Sequence, residues 1–397
     1  MQKLSKKTEH FTDSVIRRMT RIAYQYDSIN LSQGFPDFAP PEMLLKRLGE
    51  TAGMPDVHQY SITFGDPGFR RALAEKQSRF MGIDIDPDTE ITVTCGSTEA
   101  MMSSVLTVAD PGDKVIIFSP FYENYGADTI LSGAEPIYVP LVPPDFHFDP
   151  EVLEDAFRQH PKAMILCNPS NPTGKVFTRE ELELIASLAI KYDTYVITDE
   201  VYEHLVYAPY THVAAASLPG LFDHVITCNS LSKTYAVTGW RLGYVIAPEE
   251  VAEAAKKVHD FLTVGAPAPL QEAAVVGLNF PESYYEELRA LYTDKRDHFL
   301  AGLDSIGLKH NVPRGSYFVM VDISDFLALP AFKGMTDLEF CEWMIKNIGV
   351  AAVPGSSFFR EEVNDLIRLH FAREKETLDE VIVRLGKMTA LLNGQGS

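Results

Sequence analysis

A chain of 397 residues with 46% apolar side chains is too long for one ordinary domain and too apolar to be disordered, so two domains are expected. A formal net charge of -20 argues against a nucleic-acid partner, because a phosphate backbone demands a basic face. The four cysteines, Cys95, Cys167, Cys228 and Cys341, stand far apart with no CxxC pair and no metal spacing, and read as reduced thiols of a cytoplasmic protein without a metal site.

The first ten residues lack the apolar stretch of a secretory signal, and no run approaches the ~18–20 apolar residues of a membrane span, so neither export nor a membrane partner is expected. Residues 11–27 mix apolar and basic positions at helical spacing and predict a surface helix. The segment 29–38 places Gly34 ahead of Phe35-Pro36 and favours a loop, in which the glycine is a plain turn or a close approach of backbone to a ligand. Pro40-Pro41 opens a helix over 42–51. Residues 58–68 form a polar and aromatic loop that leaves Tyr60 available to a ligand or a neighbouring subunit, before an amphipathic helix over 69–80. A strand over 91–94 turns through Cys95-Gly-Ser-Thr-Glu-Ala100 into a helix over 100–108. Ser97 and Thr98 there either cap the helix or help its free N–H groups bind an anion.

Further short apolar runs, at 115–118, 163–167, 195–198 and 224–228, alternate with helical segments such as 179–191. That pattern predicts an α/β fold whose mostly parallel sheet lies between helices. Ligands of such sheets bind beyond the C-terminal ends of the strands. Most of the chemically suggestive groups fall there: Tyr122, Asn168-Pro-Ser-Asn-Pro-Thr-Gly174, Asp199-Glu-Val-Tyr202, and the stretch from Cys228 to Tyr244.

That last stretch holds Lys233 between two apolar runs, 224–228 and 243–247. Lysine is rarely buried unless paired or chemically engaged. Its amine can condense with an aldehyde to a Schiff base, and the hydroxyls of Ser230 and Ser232 with the guanidinium of Arg241 can hold a phosphate. Aldehyde and phosphate on one molecule point to pyridoxal 5′-phosphate. Two other readings compete: an ordinary polar loop, and an S-x-x-K serine acylase with Ser230 as nucleophile. The acylase family also uses K-T-G, whereas Lys233-Thr234 is followed here by Tyr235. Asp199 could pair with a protonated pyridine nitrogen and keep the ring an electron sink, or cap a helix after Thr198. Asn171 and Tyr202 could hydrogen-bond the phenolic oxygen of the ring, and Tyr122 could stack on its face.

Four motifs, Asn168-Pro-Ser-Asn-Pro-Thr-Gly174, Asp199-Glu-Val-Tyr202, Ser230-Leu-Ser-Lys-Thr234 with Thr238-Gly-Trp-Arg241, and Leu366-Ile-Arg-Leu-His-Phe371, make the chain resemble the fold-type I, class I/II aminotransferases of the aspartate aminotransferase superfamily. Gln33-Gly-Phe-Pro-Asp-Phe38, His58-Gln-Tyr60, Lys257-Val-His259 and Phe340-Cys-Glu-Trp343 make it most similar to the branch of kynurenine/glutamine transaminase K and bacterial methionine aminotransferases. The resemblance implies catalytic roles for Lys233, Asp199 and Tyr202. It implies cofactor contacts from Ser97, Thr98, Tyr122, Asn171, Ser230 and Arg241, with Tyr60 supplied by the second subunit of a homodimer. Arg368 would bind the substrate α-carboxylate, helped by Gly34 and Asn171; on local grounds it reads as a surface arginine.

The resemblance also implies a large cofactor-binding domain over 46–282 and a smaller α+β domain from 1–45 and 283–397, joined by a helix over 282–303. In the smaller domain, strands are expected over 318–322, 350–353 and 366–369, and a helix over 338–346. Val264-Gly265 stands where kynurenine-type enzymes carry a bulky aromatic and a histidine, and no second arginine for a dicarboxylate is evident. The expected substrates are therefore aromatic amino acids, methionine or glutamine, with a 2-oxo acid as acceptor. Competing functions are a cysteine-conjugate or cystathionine β-lyase using the same lysine, an aspartate-preferring aminotransferase, the serine acylase, and a cofactor-binding regulator. The regulator is disfavoured because little chain precedes the catalytic fold.

Overall fold

The structure, a computed structural model, describes residues 4–9, 11 and 13–392. Expectations that fall on 1–3, 10, 12 and 393–397, at the ends of the smaller domain and in the N-terminal segment, lie outside the described residues. In chain order the strands are β1 (Ile29–Asn30), β2 (Ile91–Thr94), β3 (Lys114–Ser119), β4 (Glu135–Pro140), β5 (Ala163–Cys167), β6 (Tyr195–Asp199), β7 (Val225–Ser230), β8 (Gly243–Ile246), β9 (Phe318–Asp322), β10 (Val350–Ala351), β11 (Val353–Pro354) and β12 (Leu366–His370).

Seven strands form the main sheet in the order β2-β8-β7-β6-β5-β3-β4. Only β8 runs antiparallel to its neighbours. The strands are apolar on both faces because both faces are covered. Side chains alternate between two layers, as the period of two requires. Ile117, Ile165, Ile197 and Ile226 pack on one side with Ala100, Met101 and Val105 of the helix Ser97–Val108. Ile116, Met164, Leu166 and Val196 pack on the other with Leu182, Ile185 and Ala189 of the helix Arg179–Tyr192. That helix begins on a capping box between Thr178 and Glu181. The fold is thus α/β with a mostly parallel sheet, as expected.

The second sheet is antiparallel, in the order β11-β12-β9, and sets Arg368 opposite Met320 and Val353. Its core gathers Leu31, Phe299, Val319, Val321, Phe340, Leu369 and Leu378. The 24-residue helix Glu282–Ser305 joins the two cores: Tyr285 is buried in the first, and Tyr292, Phe299 and Leu303 in the second.

Three expectations change. The strand expected over 350–353 is two: β10 pairs with β1, and after Ala352 the chain enters the other sheet as β11. The helix expected from 100 starts at Ser97, which draws Ser97 and Thr98 into its first turn. No helix follows Thr198; Asp199 is the last residue of β6 and leads into turns. Among the described residues no helix is long and apolar enough to cross a membrane.

Candidate active site

Strands β2, β3, β5, β6 and β7 point the same way, so their C-terminal ends share one edge of the sheet. A cavity of ≈ 830 Å³ opens there. It gathers ten of the twelve residues singled out from the sequence: Gly34, Ser97, Thr98, Tyr122, Asn171, Asp199, Tyr202, Lys233, Arg241 and Arg368.

Lys233 lies in the short helix Leu231–Thr234, whose start is capped by Ser230. Its Nζ donates to the carbonyl of Gly34 at 3.2 Å and has no carboxylate partner among the described residues. The aromatic rings of Tyr202 and Tyr317 stand 5.8 and 5.7 Å away. Tyr317 also donates to the Gly34 carbonyl, at 2.8 Å. A side chain at Gly34 would meet Phe318 at 2.7 Å and Tyr317 at 2.9 Å, so this loop needs a glycine to pass the wall of the cavity.

Asp199 is buried, with 6% exposure. Burial pushes its carboxyl up to about 6, against the opposing pull of hydrogen bonds from Tyr125 and the Val201 N–H and of the charge on Lys233. The Tyr125 hydroxyl donates to Oδ2 at 2.7 Å. Asp128, one helical turn beyond Tyr125, also lines the cavity. Its Oδ2 has no hydrogen-bond partner, and burial with the nearby charge of Asp199 pushes its carboxyl up to about 7. Behind Asp199 the turn is fixed from below. Burial works against the Glu203 anion, but it accepts from Lys76 at 2.7 Å, Gln77 at 3.1 Å and Asn229 at 2.8 Å, which ties the end of β6 to β7. A buried ion pair without those added hydrogen bonds would not repay its desolvation.

A third group collects at the start of the helix Ser97–Val108. Gly96 precedes it with φ +86°, and no side chain caps it. Its first N–H groups and the positive end of the helix dipole therefore face the cavity unmasked. Arg241 lies against Gly96, where a Cβ would meet its Nη2 at 2.3 Å. Two expected residues stand elsewhere. The Ser230 hydroxyl accepts from the Ser232 N–H at 3.3 Å and does not line the cavity, whereas Ser232 does. Tyr60 is 89% exposed, away from this chain's own cavity.

Arg368 is no surface arginine: it is 1% exposed. Its guanidinium lies against Phe318 and Phe358, 4.2 and 4.8 Å from the ring centres. It donates to Asn171 Oδ1 at 2.6 Å and to the Ser32 carbonyl at 2.5 Å, and its Nε has no partner. Burial pulls it down to about 10, which leaves it cationic at neutral pH. A buried cation with no carboxylate beside it among the described residues calls for an anionic ligand. Sequence reasoning missed Tyr125 and Asp128. It also missed Arg17 and Glu123, which join the cavity wall from outside the motifs.

The sequence pattern of the family described as aminotransferase class I and II matches residues 26–385. Kynurenine--oxoglutarate transaminase 1 of Homo sapiens is 36% identical over 92% of this chain and 94% of its own length. The probable N-succinyldiaminopimelate aminotransferase DapC of Mycobacterium tuberculosis is 35% identical over 94% of this chain and 96% of its own. The crystal structure of YbdL from Escherichia coli, identified as having a methionine aminotransferase function, superposes with a TM-score of 0.91 at 33% identity, covering 98% of this chain and all of that one. The chain belongs to the class I and II aminotransferases, fold-type I enzymes that use pyridoxal 5′-phosphate and act on amino acids and 2-oxo acids. The residues present fit that cofactor: a buried carboxylate at Asp199 that forms no ion pair among the described residues, a lysine amine held only by a carbonyl, and an uncapped helix start beside Arg241.

Proposed function

We propose that the enzyme moves the α-amino group of an L-amino acid with a large neutral side chain, aromatic, methionine or glutamine, to a 2-oxo acid. One observation carries this reading: a buried arginine without an acidic partner, Arg368, shares a cavity with Lys233 and Asp199. Arg368 would grip the substrate α-carboxylate with its planar fork, with Asn171 and the Gly34 loop beside it. Lys233 would take the proton from the Cα of the donor amino acid and, in the return half of the exchange, would deliver a proton to the Cα of the amino acid formed from the 2-oxo acid. Asp199 would accept from the pyridinium N–H, Asn171 and Tyr202 would donate to the phenolic oxygen, and Tyr122 would cover the ring. Ser97, Thr98 and Arg241 would hold the phosphate, with Ser232, which lines the cavity, in the place expected of Ser230. The bound cofactor supplies an electron sink for the carbanion left when the Cα proton departs.

The preference for neutral side chains is supported by the apolar part of the wall, where Phe35, Tyr122, Leu262 and Phe318 offer surface worth ~25 cal/mol per Å² on burial. It is supported also by the kynurenine and methionine activities named for the relatives. A homodimer with shared sites is supported by large apolar side chains left exposed, Tyr60 at 89% and Phe261 at 92%. Tyr60 would reach the partner's cofactor. The division into domains at 46–282 and the remainder is supported by the sheets, the seven-stranded one within 46–282 and the three- and two-stranded ones in the remainder, and a cytoplasmic site by the four free cysteines.

Side-by-side kcat/KM values for phenylalanine, methionine, glutamine, kynurenine and aspartate test the substrate reading; a tenfold lead for aspartate would refute it. Lys233→Ala should lose transamination together with the visible absorbance that borohydride removes from the native enzyme. Turnover close to normal in that variant would remove Lys233 from the chemistry. Release of pyruvate and ammonia without an oxo-acid acceptor would identify a β-lyase instead.

A further inference from the structure

A transaminase takes its two substrates in turn at one site, so the wall that receives a neutral donor must also receive the acceptor. A dicarboxylic 2-oxo acid would bring a distal charge into that wall, and an unpaired buried carboxylate is costly. One cation is placed to meet it. Arg17 lines the cavity with Arg368 and Tyr122. Arg17 is exposed at the cavity mouth, and its guanidinium makes no hydrogen bond and no ion pair among the described residues, whereas its neighbour Arg18 is paired with Glu342 at 2.5 Å. The Tyr122 hydroxyl lies within the field of both Arg17 and Arg368, though burial and the charges of Glu123 and Asp199 act on it more strongly.

Helix stability does not explain the position. Arg17 sits in the first turn of the helix Val15–Gln25, which has no acid in that turn, and a cation there opposes the helix dipole. One carboxylate that could cancel it is Glu123, also in the cavity wall. That carboxylate is engaged elsewhere, accepting from the hydroxyl of Ser14, the residue that caps the same helix. Glu123 therefore answers the positive helix end through Ser14, and Arg17 keeps an unpaired charge at the cavity wall.

We propose that Arg17 binds the distal carboxylate of a dicarboxylic 2-oxo acid while Arg368 holds the carboxylate next to the reacting carbonyl. The inference rests on the substrate reading above, in which neutral donors use the apolar part of the wall. It assigns the enzyme two classes of substrate at one site, told apart by which part of the wall they engage.

Binding of unreactive analogues to the holoenzyme separates this from the donor reading. Glutarate carries both carboxylates but no amino or oxo group; 3-phenylpropanoate carries one carboxylate and an aromatic ring. By calorimetry, Arg17→Gln should weaken glutarate relative to 3-phenylpropanoate by about tenfold or more, the worth of a hydrogen-bonded charge, and Arg17→Lys should lose less. In turnover, the ratio of kcat/KM for 2-oxoglutarate to that for phenylpyruvate should fall by a similar factor. An unchanged ratio in Arg17→Gln, or a native enzyme that binds glutarate no better than pentanoate, overturns the assignment. Failure of neutral donors to react refutes the substrate reading, and glutarate binding still decides the role of Arg17.

Discussion

The hydroxyl of Tyr125 donates to Oδ2 of Asp199 at 2.7 Å, and both groups are buried. This bond favours the ionised carboxylate against the burial that raises its proton affinity. Removing it leaves an acceptor short of a partner and a carboxyl more readily neutralised. Tyr125→Phe should therefore weaken cofactor binding by about tenfold, the effect of one hydrogen bond to a charged group. Dialysis of the variant against buffer, followed by the loss of cofactor absorbance, measures it. Retention equal to that of the native enzyme would show that Tyr125 serves packing alone.

Asp128 and Asp199 both have carboxyls more basic in the folded protein than their ordinary value of 3.8, at about 7 and about 6. The folded state thus keeps protons that the unfolded chain releases at lower pH. The stability they confer is full below the ordinary carboxylate range and is lost as pH rises through about 6 to 7. For Asp128 the loss is on the order of 4 kcal/mol. In cofactor-free protein, Asp128→Asn should gain stability relative to the native chain as pH rises from 5 to about 8. Denaturant midpoints at the two pH values decide the matter, and parallel profiles would mean that Asp128 is already paired in solution.

Gly96 answers two demands at once. Its φ of +86° disfavours a side chain, and a Cβ would strike the Arg241 guanidinium at 2.3 Å. Gly96→Ala should displace Arg241 and tilt the first N–H groups of the following helix. The expected result is cofactor affinity reduced at least tenfold, since more than one charge-assisted hydrogen bond is disturbed. Inorganic phosphate should compete less well for the cofactor-free variant. A protein that binds both ligands normally would show that the loop yields without cost.

What the sequence revealed of this site follows from where its information is local. Lys233, Asp199 and Asn171 stand beside short apolar strands, and the strand ends alone predict that they meet. Tyr125 and Asp128 lie on the helix Asn124–Ser132, where Gly126 interrupts the pattern, and only tertiary packing carries the Tyr125 hydroxyl to a strand 74 residues away. Arg17 has the spacing of any basic residue on a surface helix, and nothing local distinguishes a wall from solvent. Strand β4 contains Pro136 and Pro140, which read as breakers; it is an edge strand, where a missing N–H is tolerated. The break at Ala352 is silent in sequence because both halves are equally apolar.

Arg368 offers the sharpest test of the substrate site. Its guanidinium is held between Phe318 and Phe358 and spends two N–H groups on Asn171 and the Ser32 carbonyl. Those bonds fix the plane of the fork and leave the remaining donors, Nε among them, for a carboxylate. Lysine keeps the charge but not the plane, the aromatic contacts or the paired donors. Arg368→Lys should raise KM for every amino acid by a similar factor, about tenfold or more, because the α-carboxylate is common to all of them. The rise should be the same for phenylalanine, methionine and glutamine, and the preference among them should stay as in the native enzyme. If only one class of side chain suffers, Arg368 reads the side chain, and the α-carboxylate must be held elsewhere in the cavity.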